Sequence, residues 1–224
     1  YMAEVPNHRV GVHTPDPGIP VLWWRSVGHT HTAFVVETLI DQAAHAAGAD
    51  PVEYRRKLLA EHPRHLGVLD LAAEKAGWGS NLSAGRARGV AVHESFGSFV
   101  AEVAEVSVSG NEIRVHRVTA AIDCGIAVNP EAIEAQIQGG IAYGLSATLH
   151  SEIHLKEGAA RESNFDDYKV LRLAEMPDVD VHIVPSTDPP GGVGEPGTPP
   201  IAPAVANAVF ALTGQRLTEL PLKL

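Results

Sequence analysis

The segment "IAPAVANAVFALTG", residues 201–214, constrains the fold of this chain more than any other. It has almost no polar face, and a helix that is apolar all round must be buried. The rest of the chain therefore has to supply layers that cover it on several sides. A helix from Ile201 to Thr213 is expected, with Gly214 as the left-handed residue that ends it. Directly before it runs "PPGGVGEPGTPP", residues 189–200, a loop stiffened by prolines that places one carboxylate, Glu195, between Gly194 and Pro196. An acid in a Gly/Pro loop is most often a solvated turn residue. This loop is too apolar and too rigid for that role, and the buried helix behind it draws it inward. The expectation is a partly buried, unpaired carboxylate whose pKa is raised by desolvation, which suits a general base near neutrality. The glycines at 191, 192 and 194 leave room for backbone or ligand to approach.

The remainder changes period along its length. The first third reads as helical. In "THTAFVVETLIDQAAHAAG" the apolar Phe34, Val35, Leu39, Ala43 and Ala46 fall near one face. "ADPVEYRRKLLA" begins with Asp50 as N-cap and Pro51 at the first helical position, and Glu53 reaches Lys57 at i,i+4. A third helix runs from about Pro63 to Gly77. The middle is β-rich, with a hairpin turn at Ser109-Gly110-Asn111. Val100, Val103, Val106 and Val108 do not keep one phase, which predicts a bulge or burial on both faces. Asn129 and Pro130 then open a helix in which Ile133, Ile137, Ile141 and Leu145 repeat at i,i+4. Gly139, Gly140 and Gly144 weaken that helix, so something is expected to approach its backbone closely. A short strand follows at Val179–Val184. The fold class is α+β: a helical first third, then a mixed β-sheet with packed helices. The chain divides into residues 1–85, an opening loop and the helical region, and residues 86–224, the β-rich and helical part that ends in the Glu195 loop and the buried helix.

Bulk properties exclude several functions. The formal net charge is −10, which argues against binding nucleic acid through its phosphates. No apolar run reaches the ~20 residues a membrane-spanning helix needs. The single cysteine, Cys124, rules out an internal disulfide framework and cannot by itself hold an iron–sulfur cluster. "GGVGEPG" is not a dinucleotide fingerprint, because no βαβ unit surrounds it. The opening stretch, residues 1–26, shows neither a capped helix nor clean alternation. It reads as a chain entered mid-protein, so a fragment or one piece of a split polypeptide is expected.

Other candidates are weaker. The Gln136 amide offers a donor and an acceptor together, as a heterocycle edge requires, although alone it reads as a surface residue. Arg25 follows two tryptophans and either forks onto a phosphate or carbonyl or stacks on Trp23 or Trp24. Cys124 reads as a small buried thiol before it reads as a nucleophile. His29 and His31 lack the accompanying ligands that would make a metal site.

Taken together and in order, "WWRSVGHTHTAFVVETLIDQAAHAAGADPVEYRRKLL", "RGVAVHESFGSFVAEVAEV", "IDCGIAVNPEAIEAQIQGGIAYGLS", "ESNFDDY" and "GGVGEPGTPPIAPAVANAVFALTG" resemble the C-terminal part of the molybdopterin-binding large subunit of the xanthine oxidase, or molybdenum hydroxylase, family. The nearest branch is that of isoquinoline 1-oxidoreductase and related aldehyde dehydrogenases. The resemblance implies hydroxylation of an aldehyde or an electron-poor N-heterocycle, with water as the oxygen source. It further implies that a molybdenum-bound hydroxyl attacks the carbon while hydride passes to a Mo=S group. Glu195 matches the family's glutamate base that takes the hydroxyl proton. Gln136 matches the glutamine that hydrogen-bonds the pterin. Arg25, Ser26 and Val27 match the loop that approaches molybdenum from the other side. Gly194 and Gly197 would let the base loop come close.

The implied cofactor is molybdenum-molybdopterin, in a cytosine dinucleotide form. The implied partners are the N-terminal remainder of the large subunit and a small subunit carrying [2Fe–2S] clusters. Family loops of the "GGGFGRR" and "MGQG" kinds are not found in this chain, so the cofactor site is expected to be completed from outside it and the isolated chain to be inactive. A non-catalytic split or degenerate assembly module is the alternative, and a hydrolase built on Cys124 is a third reading. The compartment stays open between cytoplasm and periplasm.

Overall fold

The computed structural model describes residues 1, 5–16, 18, 19 and 21–224. Met2, Ala3, Glu4, Pro17 and Pro20 of the opening stretch lie outside the described residues. Three helices come first: α1 (His29–Ala46), α2 (Pro51–Leu58) and α3 (Pro63–Lys75). Three strands follow, β1 (Arg86–Ser95), β2 (Ser98–Ser109) and β3 (Glu112–Asp123). After them come α4 (Pro130–Leu149), a small hairpin of β4 (Leu155–Lys156) and β5 (Ala159–Ala160), β6 (Asp178–Ile183) and α5 (Ile201–Thr213). The main sheet has the order β1-β2-β3-β6. Its first two pairings are antiparallel and β3–β6 is parallel, so the sheet is mixed and the fold is α+β.

The local rules operate where expected. The Asp50 side chain accepts from Val52 N and Glu53 N, and Asn129 accepts from Ala132 N, each ahead of a proline that needs no N–H partner. Gly214 ends α5 with φ 72°. Glu53, however, pairs with Arg56 one turn on and not with Lys57. Arg56 also reaches Asp70 of α3, so it bridges acids on two helices.

β2 is central and covered on both faces. Val100, Ala104 and Val106 face the cluster built on α4 and α5, whereas Ala101 and Val103 face the α3 cluster. That two-sided burial accounts for the broken phase of its valines. A bulge is present as well: Glu105 pairs with Arg117 and Val106 with Val115, which leaves His116 of β3 as the extra residue.

α5 is buried from Ile201 through Val209. It rests directly on β1. A Cβ on Gly89 would lie 2.2 Å from Ala204 O and 2.3 Å from Ala208 N, so only glycine permits this contact. The glycines of α4 serve the same end. Gly140 meets the backbone of Gly197, and a Cβ on Gly144 would strike Ile201 Cγ2 at 2.4 Å. What approaches α4 is the chain entering α5.

The buried face of α1 is not the one its apolar residues mark. Val35 and Leu39 are 61% and 58% exposed, while Glu37, Thr38 and Asp41 are buried beside Ala33, Phe34 and Ala44. The cause lies in the sheet. β1 is an edge strand, and its outward groups need partners. Glu37 Oε2 accepts from Val92 N at 3.1 Å, and Asn207 Nδ2 of α5 donates to Val90 O at 3.1 Å.

A second buried acid has no such use. Glu102 sits between Ala91 of β1 and Ala120 of β3, fully buried, and neither carboxylate oxygen has a hydrogen-bond partner among the described residues. Burial pushes its pKa well above the carboxylate range. The folded state therefore keeps a proton that the unfolded chain has already released. Glu102's contribution to stability is complete at low pH and is lost progressively as pH rises from the unfolded carboxylate range towards the raised folded value. Glu102→Gln is expected to remove that slope. Urea midpoints of variant and parent should coincide near pH 4 and separate in the variant's favour towards pH 8. Parallel curves would contradict a buried, proton-bearing acid.

Candidate active site

Three segments converge at one end of the sheet. The first is the turn 24–28 that precedes α1. Here Val27 N donates to Trp24 O at 2.8 Å and His29 N to Ser26 O at 3.0 Å. Ser26 and Val27 both hold positive φ, at 71° and 49°. For a β-branched valine that is a strained conformation, of the kind that persists where the surroundings impose it. Within this turn the Ser26 N–H faces Glu195.

The second segment is the loop 189–200. Glu195 is half-buried, and its Oε1 accepts from Ser26 N at 2.9 Å, while Ser26 Oγ donates to Glu195 O at 2.7 Å. The expectation of an unpaired carboxylate is thus corrected: the strained turn brings a backbone donor to one oxygen. Among the described residues no hydrogen bond reaches Oε2. Glu195 O also accepts from Thr198 N at 3.0 Å, which closes the turn leading into α5.

The third segment is the second turn of α4, which carries Gln136. Arg25 joins the three. Its Nε donates to Gly194 O at 2.8 Å, its Nη2 to the same carbonyl, and Nη2 reaches Gln136 Oε1 at 3.1 Å. Of the two roles open to Arg25, the fork onto a carbonyl is the one adopted. Trp24 stacks instead on Tyr143 of α4, with ring centroids 4.6 Å apart, and Trp23 is exposed. Gln136 is exposed, and its Nε2 hydrogens have no partner among the described residues. Gly194 lies on the rim beside the Gln136 amide, whereas Gly197 is buried against Ile137 of α4.

Further residues hold the loop and were not marked in the sequence. The β1–β2 turn at Phe96-Gly97-Ser98 clamps it: Gly192 N donates to Phe96 O at 2.8 Å and Ser98 Oγ to Gly192 O at 2.6 Å. A Cβ on Gly191 would sit 2.5 Å from Gly97 O. From the other side Gly191 N donates to Cys124 O at 2.8 Å. The Cys124 thiol is buried and its pKa is raised by desolvation, the opposite of an activated nucleophile, which removes the hydrolase reading. His29 pairs with His93 at 3.0 Å and not with His31. The only sequence signal for the clamp was the glycine-bearing turn itself.

Residues 35–177 match the model of the molybdopterin cofactor-binding domain. The chain belongs to that family, that of the molybdenum hydroxylases. It is 35% identical over 225 residues to the beta chain of isoquinoline 1-oxidoreductase from Brevundimonas diminuta, a match that covers 98% of this chain and 29% of the relative. It is also 35% identical over 234 residues to a nicotinate dehydrogenase subunit from Pseudomonas putida, covering 96% of this chain and 20% of the relative. The chain thus spans less than a third of each. Among solved structures, the aldehyde oxidoreductase of Desulfovibrio gigas superposes with a TM-score of 0.63 over 89% of this chain and 40% of that one. At 16% identity that likeness bears on the fold alone. Among the described residues no helix is long and apolar enough to cross a membrane.

Proposed function

We propose that this chain forms part of a molybdenum hydroxylase that oxidises an aldehyde or N-heterocycle with water as the oxygen source, and that Glu195 is its general base. One observation carries the reading. A single carboxylate oxygen is fixed by the Ser26 N–H on a loop clamped from three sides, and the other oxygen is left open.

The rim fits a pterin. The free Gln136 Nε2 hydrogens supply donors for a heterocycle edge, the Arg25 charge sits beside them, and the exposed Gly139 leaves the helix surface without a side chain. Bound molybdenum-molybdopterin, in the cytosine dinucleotide form, would supply the two-electron oxidation and the oxygen transfer. Gln136 and Arg25 would hold its pterin, with Ser26, Val27, Gly194 and Gly197 shaping the approach. Glu195 receives a proton at Oε2 while Oε1 stays bonded to Ser26, so the base does not rotate away during turnover. A separate small subunit carrying [2Fe–2S] clusters would accept the electrons.

Residues 1–85 and 86–224 act here as two parts of one larger cofactor-binding unit. The exposed Val35 and Leu39, and a span below a third of each relative, support completion of the site by the N-terminal remainder of the large subunit. The 224-residue chain purified by itself is therefore expected to be inactive and to contain no stoichiometric molybdenum. Elemental analysis showing one molybdenum per chain would overturn that. The role of the base is tested by Glu195→Gln in the cofactor-loaded enzyme, with turnover and molybdenum read on one sample.

A further inference from the structure

His29 and His93 come from different elements and meet ring to ring. His29 is the first residue of α1, directly after the strained turn, and His93 lies three residues before Phe96 at the end of β1. His29 Nδ1 and His93 Nε2 are 3.0 Å apart, with ring centroids at 5.2 Å and an edge-on angle of 68°. His29 also packs on the Phe96 ring, centroids 5.3 Å apart. These contacts tie together two structures that both hold Glu195. On the His29 side, His29 N donates to Ser26 O, and Ser26 N donates to Glu195 Oε1. On the His93 side, the Phe96 and Ser98 turn grips Gly192, three residues before Glu195.

We infer that the His29–His93 pair is a positioning device for the Glu195 base, locking the 24–28 turn to the 96–98 clamp through one shared imidazole hydrogen bond. The inference rests on the reading of Glu195 as base. One ring donates and the other accepts, so the bond requires that the two rings are not both protonated. The surroundings satisfy this. Burial first, then His29 and His65, lower the His93 pKa to about 4, so His93 is uncharged at neutral pH. His65 of α3, Glu94, and Glu37 of α1 line the same crevice as His93, and His65 is itself lowered to about 4 by burial.

The test compares His93→Leu, which removes the bond, with His93→Gln, whose amide places a donor and an acceptor near the lost Nε2. In the cofactor-loaded enzyme His93→Leu should lower kcat about 10-fold at unchanged KM and molybdenum content, the scale expected of a misplaced base. Amide hydrogen exchange supplies a readout independent of turnover. His93→Leu should speed exchange about 10-fold at residues 24–29 and 191–195 together, and leave α3 unchanged. His93→Gln should stay within about 3-fold of the parent in both measurements. Parental exchange at 24–29 in His93→Leu, or equal damage in His93→Gln, would overturn the inference alone. Normal turnover by Glu195→Gln would sink the base reading and this inference with it.

Discussion

Glu195→Gln is expected to lower kcat by roughly two to four orders of magnitude in the cofactor-loaded enzyme, the range a positioned general base contributes. Molybdenum content should be unchanged. The substitution isolates the proton because almost nothing else depends on the carboxylate. Ser26 Oγ and Thr198 N bond the backbone carbonyl of residue 195, and Arg25 bonds the carbonyl of Gly194. A glutamine carbonyl still accepts from Ser26 N. The clamp through Phe96, Ser98 and Cys124 acts on residues 191 and 192, out of reach of the side chain. What glutamine cannot do is take a proton at the open oxygen. A variant that keeps molybdenum and loses turnover supports the base. A variant with near-parental kcat removes it, and the loop would then be a structural latch on α5.

Legibility in the sequence followed the range of the interactions. Caps, the 110–111 turn and the α5 stop are local, and Asp50, Asn129 and Gly214 announced them. The need for something close to Gly140 and Gly144 was also readable, because glycine in a helix interior has a cost that calls for a reason. The identity of the approaching segment, residues 197–201, was not, since it lies more than 50 positions away. α1 misled because periodicity counts apolar residues and assumes that the buried side is the apolar one. The buried side of α1 serves a sheet edge, whose free N–H and C=O groups call for polar partners. At the site, the loop pointed to Glu195 but not to its donor. Nothing in "RSVG" states that Ser26 and Val27 adopt positive φ, which follows from the fit of the turn against the base loop. The His29–His93 contact spans 64 residues and two elements, and sequence spacing carries no trace of it.

Arg55→Met is expected to destabilise the protein by about 3–5 kcal/mol, the cost of leaving a buried charge without its partner. Arg55 is fully buried. It donates through Nε to Glu37 Oε2 at 2.8 Å, through Nη2 to Glu37 O at 2.9 Å and through Nη1 to Pro51 O at 3.1 Å. Asp41 Oδ1 lies 3.9 Å from Nη1. Methionine fills the space and removes every donor. Arg216 still meets Asp41 at 2.6 Å, so the acid stranded is Glu37. Replacing that acid as well, in Arg55→Met with Glu37→Leu, removes the stranded charge but leaves the Val92 N–H of the edge strand buried without an acceptor, at a cost of about 1–3 kcal/mol. The double variant should therefore be more stable than Arg55→Met and less stable than the parent. Urea unfolding of the three proteins measures both differences. A single variant within about 1 kcal/mol of the parent would mean that Glu37 is not left behind as an unpaired buried charge. A double variant equal to the parent would mean that Glu37 does not hold the edge of β1.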